Sequence, residues 1–273
     1  MIFMRKNSRY LFMYNLRYIL KNSVVMIMLV MGFAILACVY YRGKFMQGFT
    51  GSLFSMDYML YLFKGADIVN ASQISAKMDI PIMYIGMALA FSYIVGRSMY
   101  SDNDHIILTY SKSRTGWYTG KVAGLLSAVL LVVGLITLTG CIFGGFNMLF
   151  YSNDTAYLIQ YDYNKITGAG EMFLYIGVIY LTYMAVVMLQ VIVSLLFNSI
   201  AGFVLAMAVY VMSIFINNPA LIGNGAMLVR YDAFAIKGES IFEAVIINVA
   251  VIVISYIVGY IIIRHKDILG KYQ

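Results

Sequence analysis

Proline is almost missing from this chain, with 2 in 273 residues, and charge is scarce, because 19 Lys and Arg plus 12 Asp and Glu make up only 11% of it. A soluble domain carries roughly 25% charge, so these side chains are too few to coat a globule of this length. Two histidines and two cysteines leave little for a metal centre or a disulfide framework. His105 and His265 lie far apart, no His-Glu-x-x-His string occurs, and Cys38 and Cys141 both fall inside apolar runs. Ser92, Ser194 and Ser255 stand in such runs without a partner base, which reads as packing and local backbone bonding. Neither catalysis nor a bound metal is expected of this chain.

What is present is apolar, at 62% of residues, with 24 Tyr, 20 Met and 17 Phe. A bilayer core of about 30 Å needs about 20 mostly apolar residues. Six runs come close: Val24–Tyr41, Ile80–Val95 (extended toward Tyr100, with Arg97 snorkelling), Val122–Phe143, Met172–Phe197, Ile200–Ile216 and Ile241–Ile263. They are continuous rather than alternating, so they are helices and not barrel strands. The fourth and fifth split at Asn198-Ser199, since one helix over both would far exceed the bilayer. The expected fold is all-α and polytopic, with six transmembrane helices in a single domain over 1–273. Residues 1–23 precede the spans, 24–263 hold them and 264–273 form a tail.

The N-terminus is basic and then apolar, as in a secretory leader, but its first run is too long and no small-residue cleavage site follows, so it is read as a retained helix. With six spans, 12 of the 19 basic residues fall on the side of both termini, and most acids on the other. The positive-inside rule then puts both termini in the cytoplasm of a cell membrane. The net charge of +7 follows from this bias, and no basic face suits nucleic acid. Ionisable groups are nearly absent within the spans. Glu243 reads first as a carboxylate at a helix start, ahead of a proton-coupling role. The string Gly116 to Val122 lacks the spacing and terminal Ser or Thr of a phosphate loop. Its glycines at 116, 120 and 124 share one helical face suited to close packing. No cofactor is expected on the chain, and ATP would have to be bound elsewhere.

Three connections stand out. In the N-terminal stretch, Lys6, Arg9, Arg17 and Lys21 gather on one side of a helix, with Leu11, Tyr14 and Tyr18 on another. That suits an amphipathic helix in the headgroup plane, with simple positive-inside decoration as the alternative. The loop from Gly96 to Lys121 carries Ile106, Ile107, Leu108 and Tyr110 between Asp102 and Asp104 on one side and Lys112 and Arg114 on the other. Apolar residues rimmed by charge suggest a protein contact, and Trp117 and Tyr118 would anchor the next helix at the interface. The outer loop from Asn217 to Ser240 holds Ala220-Leu221-Ile222 and Ala226 to Val229 around Gly223-Asn224-Gly225. These pieces are too short to span and apolar enough to be re-entrant.

This layout resembles the type-2 ABC transporter permeases, the six-span half-transporters of ATP-driven exporters. The most specific piece is Tyr110-Ser111-Lys112-Ser113-Arg114-x-x-Trp117-x-x-x-Lys121, which is similar to the stretch after the coupling helix in small bacterial members. The resemblance implies a coupling helix over about Ser101 to Ser113. Ile106, Ile107 and Leu108 would be its buried contacts on an ABC ATPase, Asp104 and Lys112 its polar rim, and His105, Tyr110 and Arg114 would lie alongside. It implies a dimer of permeases with two ATPases carrying ATP and Mg, and a substrate path lined by the first, second and fifth spans. The implied cargo is an amphipathic peptide, drug or lipid-like molecule, with antimicrobial-peptide export or immunity favoured. A non-transporting scaffold or sensor, and a secondary transporter, stay open as alternatives. The first outer loop, Arg42 to Lys77, reads equally as a partner or substrate contact and as an aromatic belt.

Overall fold

A computed structural model describes residues 2–66 (2–9 by their backbone), 82–99, 113–150, 155, 168–234 and 238–265. Among these the chain is helical. α1 spans Ile2–Gly48, α2 Ser55–Phe63, α3 Ile82–Met99, α4 Arg114–Phe143, α5 Ala169–Leu196, α6 Ser199–Phe215 and α7 Ile241–His265. Two 3-10 turns, Ile222–Ala226 and Leu228–Arg230, lie between α6 and α7. The only β-type pairing among the described residues is an isolated bridge between Tyr231 and Glu239.

Five helices, α1, α3, α4, α5 and α7, are long and apolar enough to cross a bilayer. The fifth apolar run forms α6, whose 17 residues rise about 26 Å, just under the hydrocarbon thickness. The break expected at Asn198-Ser199 is present. Asn198 caps α6 by accepting from the Ala201 amide at 2.7 Å, and Gly202 lets α6 close onto the Ser194 side chain and the Gln190 carbonyl of α5.

The N-terminal stretch is not a separate in-plane element. It runs into the first span as one helix of 47 residues, about 70 Å long. No glycine or proline occurs before Gly32 to interrupt it. Its buried positions, Leu11, Asn15, Ile19 and Ser23, then Val30, Ala34, Cys38, Tyr41 and Phe45, follow one helical stripe. That stripe faces protein from end to end. Its first part lies on the glycine face of α4, where a Cβ on Gly124 would stand 3.2 Å from Asn15 Cβ and 3.3 Å from the Leu16 backbone nitrogen. Among the described residues, no other pair of helices is in such extensive contact as α1 and α4.

α2 lies in the connection between α1 and α3. Its Ser55 amide donates to the Asn147 carbonyl at 2.8 Å and its Ser55 hydroxyl to Cys141 at 3.2 Å, fixing it on the end of α4. Tyr61 stacks on Tyr41 with centroids 4.5 Å apart, and Tyr58 meets Phe143 at 5.8 Å. Only 22% of the most apolar stretch of α1, and of α7, is buried, against 67% in α3. α3, α4 and α5 are therefore the interior, and the apolar outer faces of α1, α6 and α7 are free for lipid.

Candidate functional site

One end of the bundle gathers the end of α3, the start of α4, the first turns of α1 and the last turns of α7. There Lys121, only 2% exposed, donates from Nζ to the Met99 carbonyl at 3.2 Å. Its ammonium lies 4.6 Å from the Trp117 ring centroid. A cation on the last carbonyls of a helix is favourable by charge and by hydrogen bonding, and the indole face supports it further. Ser113 caps α4 by accepting from the Gly116 amide at 3.0 Å. The end of α3 and the start of α4, which flank residues 100–112, are thus tied together by Lys121.

Asp104, His105, Ile106, Ile107, Leu108, Tyr110 and Lys112 lie within that connection, outside the described residues. Arg114 is the exposed first residue of α4, and Arg17 is exposed on α1; the Arg9 side chain is outside the described set. Trp117 and Tyr118 are buried inside the bundle, at 2% and 1% exposure. They face neighbouring helices, which the glycines at 120 and 259 let approach closely. Tyr118 stacks near Tyr256, centroids 5.7 Å apart, directs its hydroxyl to the Tyr256 carbonyl at 3.5 Å, and packs on Gly259. Charge counting placed Lys121 among the basic residues of this connection and missed its burial. The i, i+4 spacing from Trp117 was its one visible signal.

At the other end, residues 223–231 are buried between α3, α5, α6 and α7. Their irregular backbone is served by side chains. The Tyr84 hydroxyl reaches the Gly223 carbonyl (3.2 Å) and the Tyr210 carbonyl (3.1 Å), and the Tyr231 hydroxyl donates to Gly225 at 2.6 Å. Asn224 Nδ2 donates to Ile216 and Asn218, both at 2.9 Å. Arg230, 1% exposed, places Nη2 on the Ser213 and Ile214 carbonyls that end α6, at 3.3 and 3.0 Å. Among the described residues, each end of the bundle therefore has one buried cation seated on the C-terminus of a neighbouring helix. The Glu239 amide donates to Arg230 at 2.7 Å, closing the segment. Burial, and then the Glu243 carboxylate, raise the Glu239 carboxyl to about 7.

Between the two ends, α3, α5 and α6 share an aromatic and polar wedge. Tyr183 meets Phe91 at 4.8 Å and Tyr210 at 5.8 Å, and Tyr84 meets Tyr210 at 5.9 Å. Gln190 Nε2 on α5 donates to the Ser92 carbonyl of α3 at 2.8 Å. Among the described residues no group of three His, Cys, Asp or Glu side chains could hold a metal. The charged groups of α3, α5 and α7 stand in their first or last turns. No family model matches the chain, and no curated protein or solved structure is significantly similar to it.

Proposed function

We propose that this chain is the membrane-spanning subunit of an ATP-driven exporter, powered by a separate cytoplasmic ATPase dimer that docks on residues 100–112. On this reading α6 is a sixth span, both termini are cytoplasmic, and the buried segment 223–231 is re-entrant from the outer side. A second permease chain completes the path, and the cargo is an amphipathic peptide, drug or lipid-like molecule.

The observation that carries the reading is the seat of Lys121 on Met99. A docking loop transmits force only if its ends are tied to the helices that must move, and Lys121 ties both. Spans free of mid-membrane acids and bases support it as well, because an ion-coupled carrier keeps such groups in its path. The irregular outer segment has its backbone groups bonded by side chains, as irregular backbone at membrane depth requires.

The test is purification of the full chain from its native membranes in mild detergent. A stoichiometric ATPase is expected with it, and Ile106→Asp combined with Leu108→Asp should release that subunit. Retention by the double variant would remove the docking assignment. Substrate movement driven by a proton gradient without ATP would favour a secondary carrier.

A further inference from the structure

Hydroxyls on these helices mostly bond their own backbone. Ser98 donates to Val95, Thr137 to Val133, Thr139 to Leu135, Thr182 to Val178 and Ser213 to Val209. Such back-bonding is the default for a short hydroxyl in an apolar helix. Ser92 departs from it, being 1% exposed with no hydrogen-bond partner for Oγ among the described residues. So do the Tyr183 and Tyr210 hydroxyls, also fully buried, in the same wedge. At its outer end Asn248 Oδ1 and Asn224 Oδ1 are buried acceptors with no partner among the described residues, and Asn248 Nδ2 bonds Thr182 beside Gly225.

These groups are not scattered. They lie between the level of Thr182, which Asn248 reaches, and that of Gln190, which bonds the Ser92 carbonyl, a rise of about 12 Å along α5. The contact between α1 and α4 has a different character. There the glycine face of α4 continues one turn beyond Gly124 to Ala128, fully buried among Leu125, Val129 and Val132. A buried hydroxyl or amide oxygen without a partner is costly, and a file of them in one seam calls for a common partner.

We propose that the wedge between α3, α5 and α6 is a hydrated track inside the single chain, reaching from the outer segment toward Ser92. It takes water and, by the same chemistry, a neutral hydroxyl or amide group. Its leftover groups are uncharged donors and acceptors, so they suit a neutral hydrogen-bonding species, and the Arg230 guanidinium at the outer end stands against a cation. The track belongs to one chain and does not depend on an ATPase.

The experiment places Ser92→Cys in a Cys38→Ala, Cys141→Ala background, with the full chain in phosphatidylcholine and phosphatidylglycerol nanodiscs. The probe is a water-soluble methanethiosulfonate. Because only the hydrated thiolate reacts, Cys at 92 should be modified at least roughly ten-fold faster than Cys introduced by Ala128→Cys, an equally buried site. Equal rates would overturn the track. The second measurement is the thermal midpoint of Tyr183→Phe with Tyr210→Phe. Hydroxyls bonded to water leave it unchanged or lower it on removal. A rise would show them dry and unpaired, and would equally overturn the proposal. Neither readout involves nucleotide or partner, so failure here leaves the transport reading to its own test.

Discussion

Lys121, two turns into α4, is bonded to the last residue of α3, Met99, its ammonium 3.2 Å from the carbonyl and out of reach of solvent. Replacing Lys121 with Met keeps the apolar stem but leaves the helix end without its donor. The expected cost is about 1–3 kcal/mol, the range for an orphaned buried polar group. A lowered thermal midpoint of the purified Lys121→Met chain checks this, and an unchanged one would mean the carbonyl finds another donor.

The α1–α4 seam predicts a contrast between two glycines of one helix. A Cβ at Gly124 would meet Asn15, Ile19 and the Leu16 backbone at 3.2–3.3 Å, whereas at Gly134 it would meet nothing within 4 Å. Gly124→Leu should destabilise by about 1–3 kcal/mol or more through overpacking. Gly134→Ala should be neutral or slightly stabilising, since alanine is the better helix former. Thermal unfolding in detergent compares the two directly.

Glu239 makes stability pH-dependent. Its folded carboxyl titrates at about 7, above the ordinary 4.5, first through burial and then through Glu243. The folded state therefore holds the proton more tightly than the unfolded state. Stability contributed by this group is fully present below about pH 4.5, falls as pH rises to about 7, and is flat beyond. The thermal midpoint should drop over that window in the wild type. Glu239→Gln should remove this part of the drop, and an unaltered profile would assign the titration elsewhere.

If α6 crosses the bilayer, its two flanks face opposite compartments. Phe197 and Asn217 are both exposed at its ends. Cysteines placed at each, in the background lacking Cys38 and Cys141, should label from opposite sides of sealed vesicles. Labelling from one side would make α6 a hairpin arm and leave five spans.

The apolar runs marked the helices closely, because length and hydropathy are local properties. Ile241–Ile263 became Ile241–His265, and the Asn198 break fell between α5 and α6. The spacing of Gly120 and Gly124 also carried its meaning, since close approach follows from glycine on one face. Burial of charge was not legible. Lys121 and Arg230 look like any basic residues near a membrane edge, and only the arrival of a neighbouring helix end makes them caps. The aromatics of α2 read equally as a partner or substrate contact and as an aromatic belt, because the residues they pack on, Tyr41 and Phe143, are distant in sequence. Leu11, Tyr14 and Tyr18 suggested contact with a membrane surface, and the glycine face that covers Leu11 lies more than a hundred residues away.

The central claim is that this chain draws its energy from another polypeptide through residues 100–112. Its most direct test is ATP hydrolysis by the complex purified on the full chain and reconstituted in proteoliposomes. Hydrolysis that is present with the wild-type chain and lost with Ile106→Asp and Leu108→Asp, while the variant keeps its thermal midpoint, is the result expected. Equal hydrolysis with both chains, or none with either while a proton gradient alone moves substrate, would contradict the account.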